Sequence, residues 1–168
     1  NKNMLYVKLL ISPYAHAKIV SINTNEAWLM TGVKAILTGK DCPLLVGVLL
    51  EDKPILARDK VRYHGEPVAV VVADSELEAE RAVQKIKVEY EELPVINSAS
   101  EAFSSNDVLV HEDINNYRIL KPVSPVPNTN IANLVKIRKG NMQKGWDESE
   151  FIVEATFSLP SQHFCILP

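Results

Sequence analysis

The chain has 168 residues, 46% of them hydrophobic and 23% charged, with a formal net charge of −3. This is the make-up of a globular chain able to close one medium core, or one core and part of a second, and it excludes general disorder. Lys and Arg are scattered without a cluster, which argues against nucleic acid as a partner, and no apolar run approaches the roughly 20 residues of a bilayer span.

The opening is not a basic region followed by an apolar one, so a cytoplasmic location is expected, with no membrane partner. The two cysteines, Cys42 and Cys165, lie far apart and share no CxxC spacing. Two reduced thiols are expected rather than one disulfide.

In chain order, residues 5–11 (LYVKLLI) favour a strand, ended by Ser12-Pro13 because proline cannot donate to a ladder. Residues 18–22 (KIVSI) alternate as a half-buried strand does. Asn23, three residues before Glu26, opens a short helix through AWLM, and Gly32 closes it as a left-handed cap. Residues 33–37 (VKAIL) form the next strand. Residues 39–60 are less regular, with turns at Asp41-Cys42-Pro43 and at residues 51–54. Val61-Arg62-Tyr63 reads as a strand, and His64-Gly65-Glu66-Pro67 as a tight corner.

The clearest unit follows. Residues 68–73 (VAVVVA) are continuously apolar and β-branched, as in a strand covered on both faces. Ser75 and Glu78 make the S-x-x-E pattern of a capped helix start. Ala79, Ala82, Val83 and Ile86 recur at helical spacing on one face. Residues 88–93 (VEYEEL) alternate again and end at Pro94. Residues 99–130 carry Pro122, Pro125 and Pro127 with little periodicity, and read as an extended connector. A further strand–helix–strand pattern is expected, with strands at 134–138 and 151–159 and a helix from Gly140-Asn141 through Trp146.

Residue chemistry alone supplies no catalytic constellation. His16, beside Tyr14, has no Ser, Cys or carboxylate placed for a triad, so a hydrogen-bonded structural histidine is expected. His64 at its corner is expected to bond backbone. His111, Glu112 and Asp113 could ligate a metal, but adjacent loop residues rarely converge on one ion, and a solvated loop is expected. His163 and Cys165 lack two further zinc ligands, which leaves a packing role. Glu89, Glu91 and Glu92 flank Tyr90 as a charged outer face. The chain has six glycines and neither a dinucleotide fingerprint nor a phosphate loop. No catalytic, cofactor-binding or metal residue is assigned.

Several motifs together resemble the α/β hammerhead domain of the molybdopterin-binding large subunit in the xanthine dehydrogenase and aldehyde oxidase (molybdenum hydroxylase) family. One stretch is SPYAHAKIVSINTNEAWLMTGVKAILTGKD, residues 12–41. The other is PILARDKVRYHGEPVAVVVADSELEAERAVQKIKVEYEELPVI, residues 54–96. The likeness continues through residues 140–160 to Gln162-His163-Phe164-Cys165-Ile166-Leu167-Pro168. There the family's Glu between Gln and His is missing, and Leu167 stands where a Glu is expected.

The resemblance implies an α+β fold with a mixed sheet and short strand–helix–strand units, followed by the start of a second α/β element. It divides the chain into a hammerhead domain over 1–100, the connector over 101–130, and the beginning of a molybdopterin-binding domain over 131–168. It implies an oxidoreductase only within a full assembly that carries molybdopterin with Mo, 2Fe-2S clusters and often FAD. The chain itself would be a non-catalytic structural part, without cofactor and inactive when isolated. Its partners would be the remaining molybdopterin-binding domains and the iron–sulfur and FAD domains or subunits. Two alternatives stand beside this: a stand-alone binding module on the same fold, and a split subunit that completes a site with a partner chain. A structural domain or split subunit would expose an apolar face where neighbours dock, with self-association as a corollary. A binding module would instead show a sizeable pocket with convergent polar groups.

Overall fold

The computed structural model describes residues 4–105 and 107–160. It divides into two compact units, residues 1–135 and 136–168.

The first unit is built on two small antiparallel sheets. In one, β7 (Pro67–Ala73) lies between β1 (Tyr6–Ile11) and β3 (Val33–Thr38). In the other, β2 (Ala17–Asn23) lies between β6 (Lys60–Val61) and β8 (Lys87–Glu92). A short ribbon pairs β4 (Leu45–Val46) with β5 (Lys53–Pro54). Helix α1 (Asn25–Trp28) fills the step from β2 to β3, and Gly32 leaves it with φ +81°. These small open sheets with few helices are the α+β architecture that the sequence leads one to expect.

The β-branched run at 68–73 becomes the central strand, hydrogen-bonded to β1 and β3 on its two edges, but only the face toward α2 is fully buried, short of the cover on both faces expected from its sequence. Helix α2 (Glu76–Val83) follows it at once. Ser75 Oγ accepts from Glu78 N at 3.3 Å, the N-cap bond expected of the S-x-x-E pattern, and donates to Glu78 Oε2 at 2.7 Å, so the Glu78 carboxylate bonds the Ser75 hydroxyl. Ala79 and Ala82 are fully buried, and their small side chains let the helix lie close on the sheet.

One core joins Ala82 and Ile86 to Ile36, Ala69, Val71 and Ala27. A second gathers Ala17, Ala57, Val61 and Val68. Ile22 and Val88 pack against both, so the two sheets share apolar contacts. At the corner, Gly65 (φ +86°) allows the reversal, Ser12 N donates to Glu66 O, and Gly65 N donates to Ser12 O, both at 2.9 Å.

Two readings of the sequence are corrected. A helix, α3 (Ala99–Ser104), occupies the start of the stretch expected to be extended, capped by Ser98 Oγ accepting from Glu101 N at 3.1 Å. A 3-10 turn follows at Ile114–Asn116. Helix α4 (Met142–Asp147), capped by Asn141, is present as expected. The strands expected at 134–138 and 151–159 are not formed among the described residues. Apolar β-branched composition does not make a strand unless a ladder neighbour satisfies the backbone, and these runs have none there. Val135, Ile137, Phe151 and Val153 are exposed.

Candidate functional site

Strand alternation gives the first sheet two faces of different fate. Lys8–Val71–Ile36 and Leu10–Ala69–Thr38 form cross-strand rows on the face that α2 covers. On the opposite face the rows are Val7–Val72–Ala35 and Leu9–Val70–Leu37. Every one of these six side chains is apolar, and Val7, Leu9 and Leu37 are 57, 49 and 43% exposed. Ala35, Val70 and Val72, along the middle of the face, are half-buried, and the flanking Val7, Leu9 and Leu37 are open to solvent. A contiguous apolar patch on one sheet face is the mark of a surface that packs against something else.

The second feature is a polar cluster beside β6. Lys60, whose side chain is 9% exposed, donates to Glu112 Oε1 at 2.6 Å and to Leu109 O at 3.2 Å. Two residues on, Arg62 Nε donates to Val110 O at 3.0 Å. His111 lies between these anchors, with Nδ1 3.0 Å from the Tyr117 hydroxyl and the two rings edge to face at 5.6 Å. Burial, and then the charges of Arg62 and Lys60, hold the His111 imidazole below its ordinary range against the pull of Asp52 and Glu112. Burial acts upward on Glu112, but the Lys60 hydrogen bond, a backbone amide and the two cations bring its carboxyl below its ordinary range. Burial pushes the Tyr117 hydroxyl up. Beside the cluster is a hollow of about 210 Å³ lined by His111, Arg62, Tyr63, Glu66 and the residues 52–54.

The individual candidates fall out as follows. His16 is structural, with Nδ1 2.6 Å from Pro94 O, and its Nε2 is buried without a partner. His64 is exposed, and the backbone contact expected of it is made by Glu66, 2% exposed, whose Oε2 accepts from Arg62 N at 2.5 Å. His111 is not in a solvated loop but half-buried, because Tyr117 and β6 enclose it. Glu89 and Glu91 do lie on an outer face, accepting from Ser21 Oγ and Lys18 Nζ. Glu92 is exposed but by strand alternation lies on the Tyr90 side, apart from the outer face of Glu89 and Glu91, and Tyr90 turns inward against Tyr14, ring centroids 5.0 Å apart. Cys42 has no disulfide partner among the described residues. His163 and Cys165 lie outside the described residues.

The structure thus brings His111 and Glu112 together with Lys60 and Arg62, a grouping the sequence conceals because the partners are some fifty positions apart. The Ser98-x-x-Glu101 box was a visible signal for α3, of the same kind as Ser75-x-x-Glu78. Among the described residues no three His, Cys, Asp or Glu side chains converge as metal ligands, and no helix is long and apolar enough to cross a membrane.

Comparison with known proteins adds a family match, two relatives and a solved structure. Residues 1–94 match the family model described as "Aldehyde oxidase and xanthine dehydrogenase, a/b hammerhead domain". A probable xanthine dehydrogenase subunit of Bacillus subtilis (strain 168) is 38% identical over 161 residues, covering 95% of this chain and 20% of that protein. The "Xanthine dehydrogenase molybdenum-binding subunit" of Escherichia coli O157:H7 is 33% identical over 178 residues, covering 96% of this chain and 21% of that one. Among solved structures, quinoline 2-oxidoreductase from Pseudomonas putida 86 superposes with a TM-score of 0.57 at 41% identity. That likeness covers 62% of this chain and 14% of its counterpart. The chain spans about a fifth of the length of the two curated relatives.

Proposed function

The chain belongs to the aldehyde oxidase and xanthine dehydrogenase hammerhead-domain family, and from that premise we propose that it is a structural, non-catalytic part of a molybdenum-dependent oxidoreductase. The observation that carries this reading is the apolar face of Val7, Leu9, Ala35, Leu37, Val70 and Val72. A sheet whose second face is apolar in two full rows is half of a core, and the other half belongs to another domain or chain. The relatives, about five times longer, have the length to supply it.

Within such an assembly the reaction is hydroxylation of an aldehyde or N-heterocycle at carbon, with oxygen from water. A molybdopterin cofactor supplies that chemistry, and iron–sulfur clusters and FAD carry the electrons away. The partners are accordingly the remaining molybdopterin-binding domains and the iron–sulfur and FAD domains or subunits, in the cytoplasm.

On this reading the molybdenum cofactor is held by other domains of the assembly and not by the described residues. Of the buried polar side chains, Ser12, Lys60 and Glu66 are engaged by protein atoms, whereas His16 meets Pro94 O through Nδ1 and leaves its Nε2 buried without a partner. The domain's contribution, on the same reading, is shape: a three-stranded sheet with a capped helix on one face and an apolar face on the other.

The test is elemental analysis for molybdenum and iron on the isolated 168-residue chain, together with dye reduction by purines and aldehydes. Neither stoichiometric metal nor turnover is expected. Molybdenum bound one to one with turnover overturns the reading.

A further inference from the structure

Residues 109–117 run past β6 outside the stretch that matches the family model, which ends at residue 94, and they are held there by side chains rather than by a ladder. Lys60 and Arg62, two apart on one side of the strand, take Leu109 O, Glu112 Oε1 and Val110 O. Val110 N donates to Asn130 Oδ1 at 2.9 Å, and Ile114 packs inward at 5% exposure. Past Tyr117, Leu50 bridges to Ile119 and Glu51 N donates to Arg118 O at 3.0 Å. Such a segment can leave its seat while both sheets stay closed, because none of its contacts belongs to either sheet's hydrogen-bond ladder.

We propose that residues 109–117 are a strap that leaves its seat on Lys60 and Arg62 when acid protonates His111. The imidazole is clamped between the two anchors that these cations make. On the strap, its titratable neighbours are Glu112, Asp113 and Tyr117. From the elements packed against it come Asp52, Lys53, Lys60, Arg62, Tyr63 and Glu66. Asp52 and Glu112 would welcome a proton on His111. Burial together with Arg62 and Lys60 resists it, and the resistance wins.

An imidazole held below its ordinary range binds fewer protons in place than in the released strap. Acid therefore favours release, beginning near the ordinary histidine value of about 6.5 and growing as the pH falls. Glu112 acts in the same direction at lower pH. Its carboxyl, held below the ordinary range by Lys60, loses its grip once protonated. Release uncovers the hollow of about 210 Å³ that His111 helps to wall and frees the two cations for an acidic partner.

Hydrogen exchange of the 168-residue chain between pH 7.5 and 5.0, corrected for the intrinsic pH dependence of exchange, tests this. Amides of residues 109–120 are expected to lose protection at the acid end, while those of β7 keep theirs. In His111→Gln, and in His111→Phe, which keeps an aromatic edge against Tyr117, that loss is expected to vanish. Strap protection that does not change with pH overturns the proposal. So does a loss shared with β7, or a loss that persists in a variant whose β7 amides remain protected.

Discussion

Gly32 and Glu78 occupy adjoining space so closely that a methyl group on Gly32 would stand 2.4 Å from Glu78 Cδ. The turn after α1 is thereby seated against the N-terminal cap of α2, and Asp74 N donates to Gly32 O at 3.0 Å across the same junction. Gly32→Ala is expected to carry two costs. The left-handed backbone contributes about 1–2 kcal/mol, and displacing Glu78 from Ser75 contributes about 1 kcal/mol more. Gly65→Ala, at φ +86° with no atom near its added carbon, should incur the first cost alone. Urea unfolding of both variants, and of Gly32→Ala in a Glu78→Ala background, checks this, since in that background Gly32→Ala should carry the first cost alone.

Lys60 and Glu112 are unequal partners, since the Lys60 side chain is 9% exposed and the Glu112 side chain 57%. Removing the carboxylate leaves an enclosed cation with Leu109 O as its remaining acceptor. Removing the cation leaves a carboxylate that water can solvate. Glu112→Ala is therefore expected to cost about 1–3 kcal/mol, and Lys60→Met, which fills the same space with apolar atoms, less. Chemical denaturation at pH 7.5 orders the two. A larger loss for Lys60→Met contradicts the assignment.

Glu66 has its carboxylate buried against the backbone of its own corner, accepting from Arg62 N. Glu66→Ala leaves that amide unsatisfied and is expected to cost about 1.5–3 kcal/mol, the range for hydrogen bonds to charged groups. His64→Ala, at an exposed position two residues away, should stay within about 0.5 kcal/mol. Thermal unfolding followed by circular dichroism separates them.

The apolar sheet face predicts a separation of stability from association. Leu9→Ser and Leu37→Ser are expected to reduce self-association of the isolated chain in sedimentation velocity. Each should change stability by no more than about 1 kcal/mol, because both side chains are already nearly half in water. Val71→Ala, fully buried on the opposite face, should cost about 2 kcal/mol and leave association unchanged.

Much of the first unit could be read in advance because its signals are local. The β-branched run before Ser75, the S-x-x-E box and the alternation ending at Pro94 each specify an element through nearest neighbours, and β7, α2 and β8 appear where those signals put them. The seat of residues 109–117 was not legible. It depends on Lys60 and Arg62 meeting carbonyls some fifty residues later, and no periodicity records such a meeting. The runs at 134–138 and 151–159 show the converse limit. Their composition suits a strand, but a strand is a relation between two segments, and composition names only one of them.

The order of strands has a consequence for synthesis. β1 and β3 each hydrogen-bond to β7, and the ladder to β1 joins Tyr6 to Ala73. A growing chain therefore carries two apolar strands through the ribosome before the strand that pairs them exists, and closing that ladder requires a long loop to be ordered first. Until residue 73 is free of the exit tunnel, Val7, Leu9 and Leu37 are available to any unpaired strand nearby. During that interval the nascent domain exposes two apolar segments that only later synthesis can pair.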